Sequence, residues 1–234
     1  AAYIRSLCGS LDDDPCNTFD FIMDVSEKHG LKSTFYFMTD LTSPGDGDRG
    51  YQVNNSWLAA LMKHIYQRGH EIGLHLNINS YLDVEQTKTE FNDLLDVTGK
   101  EGIRQETWGS RQHYLKWNNP ITWQNLEDAG LAYDSTLIYF DRVGFRCGTC
   151  YDYPIFNLRT KRRLNLSERP LIIMDGAFHY MKKSWMDNSA KKSIRDLSGS
   201  CKHYNGSCSL LWHNSSLVTP REKNEYNNIL ESIF

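Results

Sequence analysis

The stretch from residue 69 to residue 80, GHEIGLHLNINS, predicts a buried strand that ends in polar residues. Its apolar residues are scarcely interrupted, which is typical of a strand inside a parallel sheet. His75 lies near the end of this strand, and Asn79 follows four positions later. Two imidazoles at that spacing could bind one cation, but the second position holds a carboxamide. The residues alone leave three interpretations open: a damaged metal site, a metal site of another kind, and a strand end with one structural histidine.

Similar short apolar runs alternate with helical patterns along the whole chain. This alternation predicts parallel strands connected by helices. Strands are predicted at 3–11, 33–40, 70–76, 106–111, 132–138, 170–176 and 208–214, and helices at 17–30, 56–69, 84–99, 120–130 and 221–234. We therefore expect an α/β fold, either a (β/α) barrel or an open doubly wound sheet. No linker divides the sequence, so residues 1–234 are predicted to form a single domain.

The composition is that of an ordinary globular protein. Of the 234 residues, 40% are hydrophobic and 24% are charged, which argues against disorder. The formal net charge of -3 gives no reason to expect nucleic acid or an anionic membrane as a partner. No apolar run is long enough for membrane insertion, and the first residues lack the regions of a signal peptide, so a cytoplasmic location is expected. The six cysteines are too sparse for a disulfide scaffold and are expected to be reduced and structural. The sequence makes no prediction of the oligomeric state.

Polar residues follow five of the apolar runs directly. The motifs are SLDDDP, GLHLN, GSRQHY, IIMDG and LLWHNSS. Because the carboxyl ends of parallel strands meet at one edge of a sheet, these motifs predict an active site there.

In this order, from Ser10 to Asn214, the motifs resemble those of the polysaccharide deacetylases of carbohydrate esterase family 4, the NodB-homology domain. The forms SRQHYLKW, GFRCGT and LLWHNSS look closest to a divergent bacterial branch of that family. The resemblance implies a distorted (β/α) barrel, a carbohydrate substrate that loses an acetyl group, and a divalent metal, most often zinc. Such a metal lowers the pKa of a bound water and polarises the acetyl carbonyl.

The resemblance also implies roles for the residues at the first and third strand ends. Asp12 would be the general base. Asp13 would bind the metal if the motif has the family's adjacent-aspartate form, and Asp14 would do so in the Asp-x-Asp form. His75 would be the first imidazole ligand, and Asn79 takes the place of the second. A carboxamide oxygen is a weaker and harder ligand, so the site should hold zinc less tightly or rely on a further carboxylate. The alternative for the aspartates is a solvated turn before a helix.

Two further motifs supply the remaining catalytic residues that the resemblance implies. Arg111 would orient the catalytic aspartate through a charge-assisted hydrogen bond. His213 would be the general acid that protonates the leaving amine, and such a histidine needs an orienting carboxylate. We identify Asp175, at the end of PLIIMD, as the candidate partner.

Three other residues are candidates for substrate binding. They are Arg146 in GFRCGT, His113 in GSRQHY and Trp212 in LLWHN. A surface ion pair is an equal alternative for Arg146, and an ordinary surface loop position is the alternative for His113.

The motifs and the resemblance leave three functions open. The favoured one is a metal-dependent hydrolase that removes an acetyl group, from nitrogen or from oxygen, on a cell-surface polysaccharide or its precursor. The second is a metal-deficient module that only binds carbohydrate. The third is a metal-independent amide hydrolase that uses Asp12 and His213 as an acid-base pair.

Overall fold

The structure is a computed structural model of the chain, and it describes residues 14–39 and 52–234. These residues form seven helices and eight strands. None of the helices in the described ranges is long and apolar enough to cross a bilayer. In chain order the elements are α1 (Phe19–Lys28), β1 (Thr34–Phe37), α2 (Ser56–Gln67), β2 (Glu71–Leu76), α3 (Val84–Lys100), β3 (Gly109–Gln112), α4 (Ile121–Ala129), β4 (Tyr133–Asp134), β5 (Tyr153–Asn157), β6 (Arg162–Glu168), β7 (Ile173–Met174), α5 (Asp175–Tyr180), α6 (Asn188–His203), β8 (Leu210–Leu211) and α7 (Pro220–Ile233).

The chain divides into two compact units. The six-strand unit comprises Ser33–Leu137, apart from 40–51, and Tyr151–Pro170; the two-strand unit comprises residues 14–32, Ile138–Cys150 and Leu171–Phe234. The names refer to the sheet that each unit contains. The prediction of a single domain is not tested by this division.

The sheet of the six-strand unit has the order β1-β2-β3-β4-β6-β5. Only β5 is antiparallel to its neighbour. The first four strands are neighbours in the order in which they occur, with one helix between each pair, so this part of the chain consists of successive β-α-β units. Because the strands are parallel, their carboxyl ends lie at one edge. The register pairs His75 with Arg111 near that edge.

Apolar residues on alternate positions hold β2 in the middle of this sheet. Ile72, Leu74 and Leu76 are almost completely buried. Helix α3 follows, and Asp83 caps its first turn by accepting hydrogen bonds at 3.0 Å from the N–H groups of Glu85 and Gln86. The strand that carries His75 is therefore fixed by core packing and by a capped helix immediately after it.

The two-strand unit has its own hydrophobic core. Strands β7 and β8 are parallel, with Ile173 opposite Leu210 and Met174 opposite Leu211. Helices α6 and α7 pack in the same apolar cluster, and α7 begins with a capping box. Every predicted element within the described residues is present, and several strands are shorter than predicted. The predicted strand at 3–11 lies outside the described residues. The predicted α/β fold class, with parallel strands connected by helices, is confirmed.

Candidate functional site

His213 and Asp175 form a hydrogen-bonded pair in the two-strand unit. Asp175 directly follows β7, and His213 lies two residues after β8, so the parallel pairing of these strands brings the two residues together. His213 Nδ1 lies 2.7 Å from Asp175 Oδ1, and the backbone N–H of His213 donates to Oδ2 at 3.2 Å. The side chain of Asp175 is 1% exposed, whereas that of His213 is 54% exposed. A buried carboxylate thus orients an accessible imidazole whose Nδ1 is engaged.

Aromatic side chains surround the buried carboxylate. Burial raises the pKa of Tyr226 to about 12, and the negative charge of Asp175 makes a smaller contribution to that rise. The ring of Trp212 lies 5.0 Å from that of Trp185 and 5.1 Å from that of Tyr226. These contacts place Trp212 in the aromatic packing beside the His213–Asp175 pair. Its predicted contact with substrate stays a prediction.

The turn that begins at Asp14 is hydrogen-bonded to Asn214, the residue that follows His213. Asp14 Oδ1 accepts a hydrogen bond of 2.8 Å from the N–H of Cys16, which closes a small turn. The carboxamide of Asn214 donates to the carbonyl oxygen of Cys16 at 2.9 Å, and the hydroxyl of Thr18 donates to the carbonyl oxygen of Asn214 at 3.4 Å. Burial, and then the charge of Asp14, raises the pKa of Cys16. Asp12 and Asp13 lie outside the described residues, so their predicted roles stay predictions.

The six-strand unit holds a second pair of side chains in contact, in which a ring nitrogen of His75 faces a ring nitrogen of His113. His75 Nδ1 lies 3.0 Å from the carbonyl oxygen of Arg111, and His75 Nε2 lies 3.1 Å from His113 Nδ1. A carbonyl oxygen only accepts, so Nδ1 of His75 carries the proton and Nε2 presents its lone pair. This arrangement is the usual one for a histidine that binds a metal. Two nitrogens on one tetrahedral zinc ion are separated by about 3.4 Å, close to the distance between these atoms.

An unusual backbone conformation follows His113 directly. The next two residues, Tyr114 and Leu115, both have positive φ, at 53° and 55°. Bulky residues seldom adopt this region, and such strain tends to occur at functional sites. Asn79 is exposed, and its N–H donates to the side chain of Asn77 at 3.3 Å. Its predicted role as a metal ligand stays a prediction.

Buried Glu90 holds the loop that follows His75. It accepts hydrogen bonds from the backbone N–H of Asn77 at 2.9 Å and from the hydroxyl of Ser80. This residue was not predicted from sequence, because a glutamate in a helix is usually exposed to solvent.

Arg111 is fixed by its neighbours within the six-strand unit. Its Nε donates to the carbonyl oxygen of Ser135 at 2.9 Å, and its guanidinium carbon lies 4.2 Å from the centre of the Tyr36 ring. Burial raises the pKa of Tyr36, and the positive charge of Arg111 partly opposes that rise. The predicted hydrogen bond to Asp12 lies outside the described residues. Arg146, in the two-strand unit, is exposed and donates to the carbonyl oxygen of Ile138 at 2.8 Å; its predicted contact with substrate stays a prediction.

Two buried carboxyl groups, Asp134 and Glu168, were also missed from sequence. They are opposite each other in the register of β4 and β6, and both are fully buried. The hydroxyl of Thr136 donates to Asp134 at 2.6 Å, and the indole N–H of Trp123 donates to Glu168 at 3.2 Å. Burial raises the pKa of Asp134 to about 6, and burial together with the charge of Asp134 raises that of Glu168 well above its ordinary value. Asp134 does follow an apolar run, and this was the available signal; Glu168 lies in an alternating strand that looks half-exposed.

The described residues therefore provide some, but not all, of the ligands that a metal site needs. Within 14–39 and 52–234, no group of three or more histidine, cysteine, aspartate or glutamate side chains is arranged to hold a metal ion. The facing nitrogens of His75 and His113 fit two positions of such a site.

Comparison with known proteins gives structural similarity only. No family model and no curated protein matches the chain. Among solved structures, the Puue allantoinase matches with a TM-score of 0.56 and 13% identity, over 95% of this chain and 70% of that one. The Xyl-CE4 domain of a multidomain xylanase from the hindgut metagenome of Trinervitermes trinervoides matches with a TM-score of 0.44 and 14% identity, over 93% and 75%. At such identity the likeness to the allantoinase shows the fold, and the chain shares that fold.

Proposed function

We propose that this protein is a hydrolase that removes the acetyl group from an N-acetylated sugar in a polysaccharide. The observation that carries the proposal is the oriented pair of His213 and Asp175, with 2.7 Å between Nδ1 and Oδ1. A solved structure of the same fold is named an allantoinase, which agrees with an enzyme rather than a binding module.

Hydrolysis of an amide requires a proton on the leaving nitrogen, because an amide anion is too poor a leaving group. A histidine is suited to this task because its ordinary pKa is close to neutrality. The buried carboxylate of Asp175 fixes the ring and stabilises its protonated form. His213 is therefore the general acid in the proposed reaction. Asp12 is proposed as the general base on the strength of the sequence motif alone.

We further propose that His75 and His113 hold a divalent cation. When bound, such a cation would polarise the acetyl carbonyl and lower the pKa of a water molecule. Because its Nδ1 faces Nε2 of His75, His113 is a better candidate for the second ligand than Asn79, which is exposed. The resemblance of the sequence motif alone implies Asp13 or Asp14 as a further oxygen ligand, and this stays a prediction.

The test is acetate release from N-acetyl sugar oligomers by purified protein loaded with zinc or another divalent metal. We expect His213→Gln to abolish release, whereas His203→Gln, at an exposed position on the end of α6, should leave it unchanged. Full activity of His213→Gln would refute the assigned role. Undiminished turnover in a chelator would favour the metal-independent amide hydrolase, and glycan binding without acetate release would favour the binding module.

The metal is tested separately by elemental analysis and by competition with a chelating dye. We expect His113→Ala to weaken zinc binding by roughly 10- to 100-fold or more. His64→Ala, at an exposed position in α2, is the matched control. Unchanged affinity in His113→Ala would remove His113 from the site.

A further inference from the structure

Three cysteine side chains meet in the core of the two-strand unit. Cys150 and Cys201 are 7% and 1% exposed and belong to the same apolar cluster. Cys208 packs against that cluster and is partly exposed. All three are free thiols. Nothing in the proposed hydrolysis uses them.

Backbone hydrogen bonds hold these cysteines next to one another. The N–H of Gly206 donates to the carbonyl oxygen of Cys201, and the N–H of Ser207 donates to the carbonyl oxygen of Cys150, each at 2.8 Å. The chain after α6 therefore turns back against Cys150 before it reaches Cys208. A Cβ atom at Gly206 would lie 2.1 Å from the sulfur of Cys150, so the glycine leaves the space that this thiol occupies.

Cys201 is the common partner within the cluster. Burial, followed by the neighbouring thiols of Cys208 and Cys150, raises the pKa of the Cys201 thiol to about 12. Burial raises the pKa of the Cys208 thiol, and nearby Cys201 and Ser198, one turn apart on α6, partly oppose that rise. Cys201 thus lies in one cluster with two possible disulfide partners, and of these two only Cys208 is partly exposed.

We propose that Cys201 and Cys208 form a disulfide when the protein meets a small-molecule disulfide such as oxidised glutathione. The thiolate of Cys208 attacks one sulfur of the oxidant, forms a mixed disulfide and releases one thiolate. The thiolate of Cys201 then attacks the sulfur of Cys208 and releases the second thiolate. Two protein thiols are oxidised, the oxidant is reduced to two thiols, and two protons leave the cysteines. This proposal replaces the expectation that these two residues have only a structural, reduced role.

The exposure of the cysteines selects this pair over Cys150 and Cys201. The oxidant must reach the first thiol, and Cys150 is buried behind the turn at Gly206. The disulfide would attach the segment leading into β8 to the last turn of α6. Since His213 lies two residues after β8, the oxidised form would hold the strand that precedes this imidazole more firmly.

The proposal is tested by incubating the full chain in glutathione buffers of increasing oxidising strength at about pH 8.5. At this pH a larger fraction of a thiol with a raised pKa is ionised than at neutral pH. Free thiols are then blocked, and the protein is digested without reduction for peptide mass mapping. We expect a linked peptide that contains Cys201 and Cys208, two hydrogen masses lighter than the reduced pair. The oxidised protein should also unfold at a temperature roughly 5–10 °C higher, because the bond closes a loop of ~8 residues in the unfolded chain.

The controls separate this disulfide from general thiol oxidation. Cys147→Ser should still form the linked peptide, whereas Cys208→Ser should not. The mapping of the unaltered chain decides the proposal even if a variant fails to fold. Blocked thiols at Cys201 and Cys208 at every oxidising strength would overturn the proposal, and so would a linked peptide that contains Cys150 in place of Cys208. Neither result depends on whether the protein hydrolyses acetyl groups.

Discussion

Replacing Asp175 by asparagine tests how the imidazole of His213 is oriented. Each carboxylate oxygen of Asp175 accepts one N–H from His213, one from the ring and one from the backbone. An asparagine has a single acceptor oxygen, and its amide group can only donate. With 1% of this side chain exposed, water cannot replace the lost acceptor. The variant must therefore leave the backbone N–H unsatisfied or turn its amide towards the ring and favour the tautomer with the proton on Nε2.

The first outcome should lower the free energy of unfolding by about 1–3 kcal/mol, the cost of a buried donor without a partner. The second should lower acetate release by about 10²- to 10⁴-fold, the range of general acid catalysis. Nitrogen chemical shifts of the His213 ring report the tautomer, and urea unfolding reports the stability. Asp187→Asn is the matched control, because its exposed carboxylate accepts one backbone N–H, from Ser184 at 2.9 Å. Unchanged activity together with an unchanged tautomer in Asp175→Asn would refute the reasoning.

Three further predictions concern the six-strand unit. Because burial raises the pKa of Asp134 to about 6 and that of Glu168 well above its ordinary value, the folded protein holds protons that the unfolded chain has released. Stability should therefore fall as the pH rises through about 6. The loss from Asp134 is at most about 3 kcal/mol, and Asp134→Asn should flatten the pH dependence in urea unfolding between about pH 4 and pH 6. Gly109→Ala should destabilise the protein by about 1–3 kcal/mol in the same assay, because its Cβ would lie 1.9 Å from a ring carbon of Tyr133. Gly99→Ala, in α3 with no atom within 4 Å of the new Cβ, should instead stabilise it by about 0.5–1 kcal/mol, and a loss of stability there would contradict the packing.

The elements that sequence predicted are those in which one physical signal dominates. Strand β2 has a short apolar run, and α1 and α7 have an apolar face with recognisable ends. Helix α6 was not predicted, because only a few buried residues, among them Ala190, Ile194 and Cys201, face the core along a mostly polar helix. The antiparallel pair of β5 and β6 was also missed. Its strands alternate between buried and exposed positions in a polar sequence, and this pattern differs from that of the buried parallel strands.

The candidate site was predictable to the extent that it depends on strand ends. The contact of His213 with Asp175 follows from two polar residues placed after parallel, neighbouring strands. The contact of His113 with His75 was not predicted, because the two residues lie 38 positions apart and meet through the register of β2 and β3. From the sequence, Asn79 was the expected neighbour of His75 because it lies only four positions later, whereas His113 comes after the next strand of the sheet.

The two histidines at strand ends differ in the partner of Nδ1, and this difference favours different chemistry for each. For His213 the partner is a buried carboxylate, whose negative charge stabilises the imidazolium and so supports the gain and loss of a proton. For His75 the partner is the neutral carbonyl oxygen of Arg111, which fixes the proton on Nδ1 without stabilising a positive charge. A neutral imidazole whose Nε2 carries the lone pair is the form that binds metals. The local hydrogen bonds therefore support proton transfer by His213 and metal binding by His75, and exchanging these roles would require exchanging the partners.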